Sequence, residues 1–68
     1  MKEEELKPYY RKRIRVTFID GTEMIGFFES YNSELDNDPE LPSIDLRNDK
    51  NELYELYLAE INRMEILN

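Results

Sequence analysis

The sequence predicts a small, mainly β domain in which a short N-terminal helix leads into five antiparallel strands, at least one of them strongly bent. Three observations predict it. Apolar and polar residues alternate from Arg13 to Phe18, an Asp20-Gly21 pair follows at once, and the return strand is long, apolar on both faces and interrupted by Gly26. Alternation at period two marks a half-buried strand, and Asp-Gly between two such runs marks a hairpin.

Residues 1–12 are predicted to be an arm or a short helix. Glu, Lys and Leu favour a helix there, and Pro8 biases Lys7 away from helical backbone, limiting the helix to a turn or two. In the first strand Ile14, Val16 and Phe18 share one face and Arg13, Arg15 and Thr17 the other. A type I′ turn is expected at Asp20-Gly21, with positive φ at both residues. The second strand is expected from Thr22 to Asn32. Bulk on both faces, with Gly26 inside, predicts a bend that lets different parts of it face the core, and bent strands of this kind close small barrels.

Residues 33–42 hold Asn37, Pro39, Pro42 and four acids and read as a loop. Ser43 to Leu46 is a short strand with Ile44 and Leu46 inward, and Asn48-Asp49-Lys50-Asn51 a polar turn without glycine. Glu52 to Leu58 alternates again, with Tyr54, Leu56 and Leu58 on one face and Leu53, Glu55 and Tyr57 on the other. Residues 59–67 carry helix formers, but the Met64-Glu65-Ile66 alternation favours a tight turn at Ala59 to Ile61 and a last strand. No repeat or linker divides residues 1–68, which read as one domain with its β unit over 13–67.

Composition narrows the function classes. A chain of 68 residues buries only about 60% of its unfolded surface, so the core is thin. Cys 0 and His 0 exclude disulfides, Cys/His zinc sites, and thiol or imidazole catalysis, which leaves self-association as the stabilising device. Lack of cysteine fits a reducing, cytoplasmic setting, and the opening Met-Lys-Glu-Glu-Glu run has no apolar signal-peptide core. No segment approaches the roughly 20 apolar residues of a membrane helix. The net charge of -7 opposes phosphate over most of the surface.

Val16, Phe18, Asp20-Gly21, Gly26, Phe28, Tyr31 and Asn32 form one motif, and Leu56, Leu58, Ile61, Met64, Ile66 and Leu67 a second, two short strands about a tight turn. In these two motifs the chain resembles the Sm and Sm-like (LSm, Hfq-type) family. The likeness spans residues 13–67. It implies a short helix followed by a five-stranded, strongly bent antiparallel Sm-like (SH3-like) barrel. It further implies rings of about five to seven subunits, in which the fourth strand of one subunit pairs with the fifth of the next. The family's RNA pocket carries over poorly. Asn32 stands at its aspartate, Asp36 at its asparagine with Asn37 one further on, and Ala59-Glu60 where the family keeps Arg-Gly. A carboxylate in place of a guanidinium sets like charge against phosphate.

Candidate sites follow. Leu53 and Tyr57, which a monomer would expose, are assigned with Met64 and Ile66 to a subunit interface. Tyr9, Tyr10, Arg11, Arg13 and Arg15 form the one segment that invites a nucleic-acid reading, since arginines meet phosphate and tyrosines stack on bases; Tyr31, Asn32 and Asn37 join it as candidates. The competing and favoured expectation is that these cations pair with the protein's own acids and guard an edge strand. Glu34, Asp36, Asp38 and Glu40 alternate like calcium ligands but lack the glycine and final glutamate of such a loop, and read as a solvated acidic loop. No His, Cys, Gly-rich phosphate loop or nucleophile elbow is present, so no enzyme activity, cofactor or metal is expected.

The reading is therefore a non-catalytic ring-forming binding or assembly protein, with a protein partner possible in principle. Its alternatives are an RNA-binding Sm-like protein using residues 9–15 and a monomeric SH3-like adaptor for a peptide.

Overall fold

The computed structural model describes residues 3–32 and 41–67. Helix α1 (Glu3–Leu6) runs into a 3-10 turn at Lys7–Tyr9, where Pro8 sits at the start, the place its missing N–H costs least. Five strands follow: β1 (Arg13–Phe18), β2 (Glu23–Asn32), β3 (Ser43–Arg47), β4 (Leu53–Tyr57) and β5 (Ile61–Ile66). All pairings are antiparallel, in one sheet of order β4-β3-β2-β1-β5. β4 and β5 are its two edges, and the sheet is not closed between them.

The predicted alternation positions the core. Ile14 and Val16 of β1, Phe28 of β2, and Ile44 and Leu46 of β3 are fully buried, joined by Leu56, Leu58, Ile61 and Met64. Leu6 is also fully buried, so α1 docks its one leucine onto the core and the arm is part of the fold. Tyr54, expected inward beside Leu56, is instead 38% exposed, because edge strand β4 has a neighbour on one side only.

The bend in β2 has two parts. Gly26 is needed for close approach: a Cβ there would lie 2.6 Å from the Arg47 carbonyl oxygen and 2.9 Å from Leu46 Cγ. Phe28 pairs with Leu46 and Ser30 with Asp45, so Glu29 is the extra, bulged residue. The bulge exchanges faces. Phe28 is buried before it, and after it Tyr31 packs on the core while Ser30 is exposed. A second irregularity, at Asn62, lies where Thr17 pairs with Arg63 and Phe18 with Ile61.

The hairpin at Asp20-Gly21 is not the type I′ turn expected. Gly21 has φ +91° and Asp20 has no positive φ. Phe18 N–H donates to the Thr22 carbonyl (2.8 Å) and Gly21 N–H to the Phe18 carbonyl (3.0 Å), closing a three-residue loop, Ile19 to Gly21. The competing force is the Asp20 side chain, whose Oδ1 accepts from the Thr22 backbone N–H (3.0 Å) and hydroxyl (2.7 Å) and fixes an Asx turn. The turn between β3 and β4 repeats the pattern without glycine. Asn48 N–H donates to the Glu52 carbonyl and Asn51 N–H to the Asn48 carbonyl, each at 3.0 Å, and Asn51 takes φ +64°. Asparagine tolerates that left-handed position better than other residues with a Cβ.

β4 reaches β5 through a 3-10 turn at Leu58–Glu60, one residue earlier than expected, and the last stretch is a strand and not a helix. Among the described residues no helix is long and apolar enough to cross a membrane.

Candidate functional site

Strand parity determines what each edge offers. In an antiparallel pair, residues bonded across the ladder alternate with residues whose backbone groups point the other way. Asn48 donates to Glu52 and Leu58 to Pro42, so the even residues of β4 bond to β3. The N–H and C=O groups of Leu53, Glu55 and Tyr57 therefore face away from the sheet. By the same logic Leu67 donates to Arg13, the odd residues of β5 bond to β1, and the backbone groups of Met64 and Ile66 face outward. The four residues assigned to an interface, Leu53, Tyr57, Met64 and Ile66, thus lie on the two free edges. Their side chains differ: Leu53 is 51% and Ile66 38% exposed, Tyr57 is half-buried, and Met64 belongs to the core.

The basic-aromatic segment does not form one patch. The chain turns at Tyr9 to Lys12, with Lys12 N–H donating to the Tyr9 carbonyl (3.2 Å) and Arg11 at φ +60°, a left-handed position unusual for arginine. Hydrogen bonds from Arg11 N–H to the Phe28 carbonyl and from Phe28 N–H to the Lys12 carbonyl hold it there. Tyr10 packs edge-on against Phe28, ring centres 5.2 Å apart, and the Arg11 guanidinium stands 5.2 Å over the Phe27 ring. Tyr10, Arg11, Glu29, Ser30 and Tyr31 line a cleft of about 210 Å³. Tyr9 packs against the core.

Every arginine of the chain meets a carboxylate. Glu29 takes Arg47 Nε at 2.7 Å and Arg11 at 3.4 Å, Arg13 meets Asp49 at 3.2 Å, and Glu65 receives Arg15 and Arg63. Pairs this exposed are each worth about 0–1 kcal/mol. They match the expectation that the cations answer the protein's own acids, but not that they guard an edge strand, since β1, which carries Arg13 and Arg15, lies inside the sheet between β2 and β5. Arg15 keeps its Nε buried with no hydrogen-bond partner.

Asn32 is committed to its neighbours. Its amide nitrogen donates to Ser43 Oγ (3.2 Å) and Asp45 Oδ1 (3.0 Å), Ser30 donates to Asp45 Oδ2 (2.7 Å), and buried Ser43 donates to Glu55 Oε2 (2.8 Å). This network bridges two carboxylates that face each other directly across β3 and β4. Asn37, and the acids Glu34, Asp36, Asp38 and Glu40, lie outside the described residues. Among those that are described, no group of three or more acids is arranged to hold a metal.

Compared with protein-family models, curated proteins and solved structures, the chain matches none.

Tyr10, Arg11 and Tyr31 are thus brought together, while Arg13 and Arg15 leave the cleft for Asp49 and Glu65. Sequence reasoning missed Glu29. It looks like an ordinary acid in an alternating strand, and its role follows from the bulge, which turns its carboxylate to Arg11 and Arg47.

Proposed function

We propose that the protein is a non-catalytic Sm-like assembly protein whose subunits join edge to edge, β4 of one to β5 of the next, in a ring of about five to seven. One observation carries the reading: the five-stranded sheet is open, and both free edges combine outward backbone groups with apolar side chains. The bulge at Glu29, which exchanges the faces of β2, supports reading this sheet as the strongly bent Sm-like barrel. Full antiparallel overlap of two β4 strands would set Glu55 against its own copy, whereas β5 offers to β4 the exposed Ile66 side chain and the outward backbone groups of Met64 and Ile66. Two different edges make a heterologous contact, which closes into a ring when the rotation between neighbouring subunits divides a full turn.

Light scattering on the eluting protein tests it, with a mass of about five to seven times 8.3 kDa expected. Tyr57→Glu should lower that mass. A single-subunit mass at every concentration overturns the ring and favours the monomeric SH3-like adaptor.

A second reading has a specific observation behind it, the convergence of Tyr10, Arg11 and Tyr31 on one cleft. In this reading the cleft takes an RNA base between aromatic rings with Arg11 toward phosphate. Titration with oligo-A and oligo-U at two salt concentrations tests it; affinity that falls with salt and is lost in Arg11→Gln supports it.

A further inference from the structure

We propose that the groove at the tip of the β1–β2 hairpin docks a basic segment of a partner protein, an arginine or lysine flanked by aliphatic residues. Phe18, Ile19, Asp20 and Glu60 border a cavity of about 320 Å³. Two of its lining residues are apolar and two are anionic. Ile19 is 70% exposed, the most exposed large apolar side chain among the described residues. The tip holding it is fixed by the Asx turn, by the loop bonds at Phe18 and Gly21, and by Ile19 N–H donating to the Glu60 carbonyl at 2.9 Å. That last bond ties the hairpin to the 3-10 turn and keeps Ile19 beside Glu60.

The two carboxylates of this groove are among the acids that the chain's own cations leave without an ion pair. Glu29, Asp49 and Glu65 each meet an arginine, but among the described residues Asp20 and Glu60 meet no cation. Both contacts from Thr22 fall on Asp20 Oδ1. Lysine and arginine lay their aliphatic stems on apolar surface and carry their charge at the tip, which is the shape and sign that Phe18, Ile19, Asp20 and Glu60 complement. The anionic rim turns away nucleic acid and acidic lipid surfaces. Each copy carries a net charge of -7, which favours a basic foreign segment over a second copy at this anionic groove.

The test is a nuclear magnetic resonance titration of the full ¹⁵N-labelled chain with acetyl-leucyl-arginyl-leucine amide and with its glutamyl counterpart. Saturable shifts are expected at the amides of Phe18, Ile19, Gly21, Thr22 and Glu60 with the arginyl peptide and none with the glutamyl one. Ile19→Ser and Glu60→Gln, both at exposed positions, should each weaken binding about three- to fivefold, the scale of one exposed contact. Shifts spread over the acidic surface without saturation, or an affinity unchanged by either variant, would overturn the proposal. Ile19→Ser separates a docking groove from general attraction to a chain of charge -7, which that change leaves intact.

Discussion

Gly26 lies against the carbonyl of Arg47, so close that a methyl group on it would sit 2.6 Å from the oxygen. Backbone cannot withdraw as the end of a flexible side chain can. Gly26→Ala is therefore expected to destabilise the fold by about 1–3 kcal/mol, the usual cost of forcing atoms into filled space. Urea unfolding followed by circular dichroism measures it, and an unchanged midpoint would show that β2 and β3 can move apart.

Leu6 is expected to matter as much as a residue of the sheet. Its side chain is fully buried and belongs to the same core cluster as Ile14 and Phe28. Leu6→Ala should cost about 2–5 kcal/mol, combining lost transfer energy with the cavity left behind. Thermal and urea unfolding of the variant give the number. A loss under about 0.5 kcal/mol would mean that α1 is not docked in solution.

Asp20 should titrate below the ordinary aspartate value of 3.8, held down first by the Thr22 hydroxyl and next by the Thr22 backbone N–H. The folded pKa is depressed, so the contribution to stability is present above the unfolded value and fades as pH falls through the folded one. Carboxyl ¹³C shifts followed against pH report the midpoint. Thr22→Val, which removes the larger cause and keeps the backbone bond, should raise it toward 3.8; a midpoint that does not move would remove the hydroxyl from the account.

Legibility in the sequence tracked how local each cause is. Ile14 and Val16 were readable as core because a strand's faces alternate whatever lies around it, and the same held for Ile44 and Leu46. The bend in β2 was legible from Gly26, but not its second part, since the bulge at Glu29 is a mismatch between β2 and β3 and belongs to neither alone. The hairpin type was misjudged because Asp20 bonds to Thr22, a side-chain choice that competes with the backbone preference of an Asp-Gly pair. Leu6 left one usable signal, a single apolar residue among charged ones just before Pro8. Of the basic-aromatic candidates, the cleft kept Tyr10 and Arg11 and recruited Tyr31 from 20 positions away, a convergence that depends on the pairing of the N-terminal segment with Phe28.

The strand order has a consequence for how the chain is made. β1 sits between β2, which follows it at once, and β5, whose Ile66 pairs with Ile14. During synthesis the β1–β2 hairpin can form early, while the other side of β1 waits until β5 (Ile61–Ile66) has left the ribosome. Over that interval a central strand behaves as an edge, open to the nascent β5 of a neighbouring polypeptide on the same message as readily as to its own. Non-local closure of this kind is slow relative to hairpin formation. Slowing translation ahead of residue 61 should lengthen the window for exchanged partners, and speeding release should shorten it.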